Sequence, residues 1–301
     1  MILTLLLSLV LELMIAAALF AAPAGLFVQS QLRKGPRARF WLPLAVLGLA
    51  AGLLLPPVGV VVLAMVTSGL LLDHGVRRGW DWRAVSFIGG APYMPLTWAV
   101  LAPFGRPEVL DRWMEQYRTA VRPMLADLPG GAGQEEEFFE TFRSTLELTG
   151  RLAPSLTLLI GLTLGVVALG LGLWWLRRRG AEPGLRFPPF YMWSMPERLS
   201  WLAGLSLLAA LTASGALLDA VYNVLLLLGT LYSIQGMAVA WYGFEVRGTP
   251  AWARGLFVIA VIATFLLGMV LLAVLGLLET WVPFRAHMAE AAMRGPREED
   301  R

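Results

Sequence analysis

Residues Ser155–Leu176 read SLTLLIGLTLGVVALGLGLWWL and are followed at once by Arg177, Arg178 and Arg179. No charged side chain interrupts the stretch. As a helix rising about 1.5 Å per residue, it is long enough to cross the roughly 30 Å hydrocarbon core of a bilayer. Within that core each backbone N–H and C=O must be paired inside the segment, so a lone apolar run of this length is an α-helix. The three arginines mark its return to water.

Working outward, the same reading applies to most of the chain. Its 301 residues are 57% hydrophobic, against about 45–50% for a soluble globular protein. Apolar runs span Ile2–Val28, Phe40–Leu72, Val85–Phe104, Leu199–Leu218, Ala220–Phe244 and Trp252–Leu278. As one helix, Phe40–Leu72 would be about 50 Å long. Pro56-Pro57 lies at its middle, where a straight helix is hard to continue, so it divides into two spans. The span from Val85 carries Gly89-Gly90, Pro92 and Pro95 as interruptions. The expected fold is all-α: one integral membrane domain over residues 1–301, a polytopic bundle of about eight spans. The alternating segments of about 10 residues that build a membrane β-barrel are missing. The first run offers small residues at Ala21-Ala22-Pro23-Ala24. It lacks a basic leader and is too long for a signal peptide, so it reads as a retained helix.

Segment 105–151 is different, with nine acidic residues among its polar positions. Val109–Leu125 and Glu135–Leu148 are amphipathic and flank Pro129-Gly130-Gly131, which suggests two helices lying against the bilayer or the bundle. Basic residues concentrate in segments 29–39, 73–83, 177–198 and 245–254. The positive-inside rule places these on the cytoplasmic side, with 105–151 as an extracytoplasmic insertion and both termini outside. The charged tail 286–301 pulls weakly the other way, with Arg294, Arg297 and Arg301 against Glu298, Glu299 and Asp300.

Composition also excludes chemistry. There is no cysteine, and His74 and His287 are the only histidines. Thiolate catalysis and zinc-thiolate sites are excluded, and a histidine-rich metal site is not expected. A net charge of +3 fits basic membrane-surface loops and no nucleic-acid partner. Nucleophile-elbow, zinc-protease and phosphate-loop motifs are absent. The expectation is a non-enzyme without cofactor or metal. A lipid-modifying enzyme would have to draw on Glu12, Asp219 and Glu279.

Polar side chains at membrane depth are costly, so they are the places to look for function. Asp219, Tyr222 and Asn223 share a helix face at i, i+3, i+4. Asp219 reads either as the N-cap of a helix starting there or as part of that face. Tyr232, Gln235 and Gly236 repeat the spacing further on. They read as interhelical glue or as the lining of a solute site. Glu12 lies near the middle of the first span and would be protonated, paired or turned to a cavity. Most of the 12 tryptophans sit near span ends, as interfacial belts require. Trp193 is the exception, inside Phe187-Pro188-Pro189-Phe190-Tyr191-Met192-Trp193-Ser194-Met195-Pro196. That loop is placed to lie across the bundle mouth. Gly48-xxx-Gly52, Gly161-xxx-Gly165 and Ala17-xxx-Ala21 permit close helix approach. Among 31 glycines such patterns arise readily.

The C-terminal half resembles the YybS-like family of bacterial inner-membrane proteins, a domain of unknown function. The features that carry the resemblance are Phe190-x-x-Trp193-x-x-Pro196, Asn223, Leu231-Tyr232-x-x-Gln235-Gly236-Met237-Ala238-Val239, and Leu275-Gly276-Leu277-Leu278-Glu279-x-Trp281-x-x-Phe284-Arg285. The family more usually has Asp at Glu279 and an acid at Pro283. The match covers roughly the last 100 residues and is only architectural before that. The resemblance implies a bacterial inner-membrane location and a relationship to the S components of energy-coupling-factor transporters. Those proteins hold a small solute in a helix bundle and dock on an energising partner through small residues of the first helix. Ala17-xxx-Ala21 and Ala18-xxx-Ala22 are the candidate positions for that role here.

Two functions from different classes follow. One is a transport-related protein that binds an unknown small solute through Asn223, Tyr232, Gln235 and Trp193. The other is a non-enzymatic scaffold or partner subunit in the bilayer, with interfaces on segment 105–151 or the small-residue faces.

Overall fold

The computed structural model describes residues 21–32, 38–54, 56–126, 131–182 and 184–293. All regular structure among them is helical, with no strand. The chain divides into two compact units, residues 1–187 and 188–301.

In the N-terminal unit, helix α1 covers residues 21–32. It is followed by α2 (Ala38–Leu54) and α3 (Pro56–Arg77). The break expected inside Phe40–Leu72 is there, with Pro56 opening α3, where the missing N–H costs nothing. Next come α4 (Trp82–Gly90), a 3₁₀ turn at Ala91–Tyr93, α5 (Met94–Leu101) and a second turn at Ala102–Gly105. Asp81 caps α4 by accepting from the Arg83 N–H at 3.0 Å. Pro92 and Pro95 do not break this span. Each falls at the first or second position of a new helical piece, and Trp82–Gly105 runs on as one candidate crossing. Helix α6 (Pro107–Ala126) and α7 (Gly131–Arg151) match the two amphipathic stretches. Their apolar faces pack together around Leu110, Met114 and Phe139. The decisive apolar run is α8 (Ala153–Arg178). Phe27, Leu72, Val85, Leu169 and Leu176 form the unit's core.

Glycines set how closely these helices meet. A Cβ on Gly90 would strike the Gly161 carbonyl, and one on Gly165 would strike the Ser86 carbonyl. The Gly161-xxx-Gly165 pattern is therefore the contact between α8 and α4, with backbone against backbone. Gly48 also lies against α3, its Cβ position 3.6 Å from Leu63 Cα. Gly52 lies on α2 with Gly48, and its packing falls outside the described residues.

In the C-terminal unit, a 3₁₀ turn at Phe190–Met192 leads to α9 (Arg198–Ala210), α10 (Gly215–Val246), α11 (Ala251–Ala263), α12 (Phe265–Glu279) and α13 (Phe284–Met293). Here the expected boundaries fail. The break expected near Asp219 lies earlier. Helix α9 stops at Ala210, and α10 starts after Ser214, where Gly215 takes a φ of 57° that favours glycine. Asp219 is therefore inside α10 and is not its N-cap. The expected last span is also not a straight helix. It breaks at Thr264, and α11 and α12 meet at a 113° bend.

About eight crossings were expected. The described residues contain four helices long and apolar enough, or five if the bent pair is one broken span. Helix α9 has 13 residues, about 20 Å, which is short of a bilayer core. Helix α2 is likewise a shorter apolar helix. Most of the expected first span, including Glu12 and Ala17, lies outside the described residues.

Candidate functional site

Of the four residues proposed for the solute, Gln235 is the best defined. It sits on α10, 2% exposed. Its side-chain carbonyl accepts the Met195 N–H from the aromatic-proline loop. Its amide donates to the Gly276 carbonyl on α12 at 2.7 Å. That carbonyl lies in the last turn of α12, where helix carbonyls lack intrahelical partners. Gln235 thus caps one helix and anchors the loop with a single side chain. Such closeness is possible because Gly236 and Gly276 face each other. A Cβ on Gly236 would strike the Leu272 carbonyl, and one on Gly276 the Tyr232 carbonyl. Ser233 adds a hydrogen bond to the Met269 carbonyl at 2.8 Å.

Tyr232 lies one turn before Gln235 and is buried with Ala203 and Leu228, against Met195, Leu199 and Leu277. Its hydroxyl meets no hydrogen-bond geometry, although Thr280 is near enough to influence it. Asn223 is half-buried, and its amide donates to the Asp219 carbonyl of its own helix at 2.8 Å. Tyr222, on the same stretch, is 45% exposed. Trp193 is half-buried and donates its indole N–H to the Pro188 carbonyl at 3.2 Å. The structure therefore brings Tyr232 and Gln235 together near the loop and leaves Asn223 on a bond within its own helix.

The loop has a second fastening. Arg285 pairs with Glu279 at 2.9 Å and donates to the Tyr191 and Trp193 carbonyls at 3.0 and 3.1 Å. The Glu279 and Arg285 side chains are only 9% and 16% exposed. Together, Arg285 and Gln235 tie Tyr191, Trp193 and Met195 to α10, α12 and the first turn of α13. Sequence spacing does not reveal this lock. The six-residue separation of Glu279 and Arg285 gives no helix-face signal.

The N-terminal unit holds a second polar network that the sequence reading passed over. Asp73, 1% exposed, accepts from Arg77 at 2.8 Å and from Gln31 at 2.9 Å. Arg77 also donates to the Ser30 carbonyl at 2.7 Å. An acid four residues before an arginine at the end of an apolar helix was the available clue. The pair fastens α1 to α3, so α3 extends to Arg77 where a basic loop was expected.

Beside this network lies an open cleft of about 460 Å³. Gly25, Leu26 and Gln29 of α1 line it, with Leu44 of α2, Val62 and Met65 of α3, and Trp175 and Arg179 at the end of α8. The walls are apolar. Among the described residues Arg179 is the one charged side chain of the lining, and Gln29 adds an amide. Both are exposed, and neither side chain has a hydrogen bond or ion pair among the described residues. Arg178 beside it is turned over the Trp174 ring, 3.9 Å from its centroid. Ala21, expected on a partner interface, is half-buried on α1. No three His, Cys, Asp or Glu side chains converge on a possible metal position among the described residues.

No curated protein and no solved structure gives a significant match to the chain. A family model described as "Predicted membrane protein (DUF2232)" matches residues 1–280. A match over this extent, on a chain whose apolar helices are long enough to cross a bilayer, means that the protein belongs to this family of predicted membrane proteins.

Proposed function

We propose that the protein is a non-enzymatic, transport-related binding protein for a small solute, embedded in the bacterial inner membrane. The observation that carries this reading is the cleft between α1, α2, α3 and α8. Small-molecule sites are concave, about 300–1,000 Å³, mostly apolar, and marked by a few placed polar groups. At about 460 Å³, with Gln29 and Arg179 among apolar walls, the cleft has that character. An energising or scaffold partner would dock on Ala21 of α1 and on Ala17, which lies outside the described residues. Native mass spectrometry of the protein released from mild detergent tests the reading. A bound small molecule is expected. Bare protein, or protein carrying only a partner polypeptide, would favour a scaffold.

A second reading puts the solute in the C-terminal unit, at the residues the sequence singled out. One observation favours it: among the described residues the buried Tyr232 hydroxyl has only the Thr280 hydroxyl nearby and no hydrogen bond of good geometry, and a buried polar group normally has one. Gln235 has its acceptor and one donor already engaged, so a solute there would have to displace the loop. Loss of the bound mass on Tyr232→Phe, with Gly25→Leu retaining it, would select this reading.

A further inference from the structure

The geometry points to an anionic phospholipid as the occupant of this cleft, with its phosphate at Arg179 and Gln29 and an acyl chain along Gly25, Leu26, Val62 and Met65. This rests on the reading of the cleft as a ligand site and names its ligand class. Three observations converge. First, the lining is divided by polarity: apolar side chains of α1, α2 and α3 make the walls, and the one charged group among the described residues is cationic. A neutral apolar solute would leave Arg179 unused, and a free inorganic anion would leave the apolar wall bare.

Second, the cation lies where a membrane helix ends. Arg179 follows the last turn of α8, next to Trp174 and Trp175, the residue types that settle at the headgroup level. A headgroup phosphate meets an arginine at that depth, and basic pockets between membrane helices take lipid headgroups. Third, Arg179 is uncommitted. Arg77 is used by Asp73, and Arg178 is stacked on Trp174. Gly25 gives the chain room: a Cβ there would only touch the Trp175 ring, at 3.6 Å. The cleft is open, so a lipid enters sideways from the bilayer and no gate has to move.

The test is retention of lipid from nanodiscs of equimolar phosphatidylglycerol and phosphatidylcholine, read by native mass spectrometry. Wild-type protein is expected to keep one phosphatidylglycerol in preference. Arg179→Ala should cut that preference about fivefold, the effect of roughly one basic residue on an anionic lipid. Gly25→Leu should remove the bound lipid by filling the groove. Arg178→Ala, which alters the neighbouring charge but not the cleft, should leave the preference unchanged. Equal retention of both lipids, or an unchanged preference in Arg179→Ala, overturns the inference. A non-lipid mass lost in Gly25→Leu, with no phosphatidylglycerol preference, would also overturn it while sparing the small-solute reading. If neither lipid nor another small molecule is retained, both fall.

Discussion

In the N-terminal unit, Gly90 and Gly165 let α4 and α8 meet backbone to backbone. In the C-terminal unit, Gly236 and Gly276 do the same for α10 and α12. The units differ in what they do with polar side chains beside those crossings. In the C-terminal unit, Gln235, Glu279 and Arg285 spend their hydrogen bonds on fastening the aromatic-proline loop. In the N-terminal unit, Asp73 and Arg77 are spent in the same way, but Gln29 and Arg179 stay uncommitted at the edge of an apolar cleft. A polar residue at membrane depth needs partners for physical reasons. Whether it serves structure or ligand is decided by which partners it already has.

Variants that break the fastenings should therefore hurt stability, and variants in the cleft should not. The largest effect is expected from Arg285→Ala. Removing one member of a buried ion pair typically costs about 3–5 kcal/mol, because the other charge is left without compensation. Here the loop carbonyls of Tyr191 and Trp193 lose their donor as well. Thermal unfolding in detergent should show a large fall in Tm, partly recovered in the Arg285→Ala, Glu279→Gln double variant. A Tm close to wild type would mean that the loop is not held this way.

Next in size is the helix crossing. Gly236→Ala and Gly165→Ala each force a methyl into a facing carbonyl, and overpacking costs about 1–3 kcal/mol. Gly229→Ala is the control on α10, since nothing lies within 4 Å of its Cβ position. It should be neutral or stabilising by up to about 1 kcal/mol. If all three behave alike in the same unfolding assay, the crossings are not backbone contacts.

Gln235→Leu keeps the volume and removes the bonds. It leaves the Met195 N–H and the Gly276 carbonyl unpaired, at about 1–3 kcal/mol. Hydrogen exchange should then rise at Met195 and its neighbours more than in the N-terminal unit. Smallest of all on stability is Arg179→Ala, an exposed change expected to stay within about 0.5 kcal/mol.

The apolar helices were legible because membrane solvation leaves a segment one choice of structure. Ser155–Leu176 falls within α8 as read, and Pro56 divides α2 from α3 as its missing N–H requires. The bend at Thr264 was not legible. No proline or glycine pair marks it, and apolar composition alone does not say whether a run is straight. The start of α10 was obscured because Ser214-Gly215 lies inside an otherwise apolar stretch, while Asp219 looked like the stronger cap. The small-xxx-small pattern at Gly161 and Gly165 was visible but indistinguishable from chance until α4 was seen against it. At the sites, spacing put Tyr232, Gln235 and Gly236 on one face. It carried no information on Arg285, whose partners Tyr191 and Trp193 are more than 90 residues away in the chain. Arg179 read only as the end of a span, because a cleft made by four helices leaves no local signature.

The central claim is that the open cleft, and not the fastened loop, holds the ligand. It is tested most directly by comparing the small-molecule mass bound to Gly25→Leu and Gln235→Leu in native spectra from one preparation. Loss in Gly25→Leu with retention in Gln235→Leu is the predicted result. Retention in Gly25→Leu with loss in Gln235→Leu would contradict it.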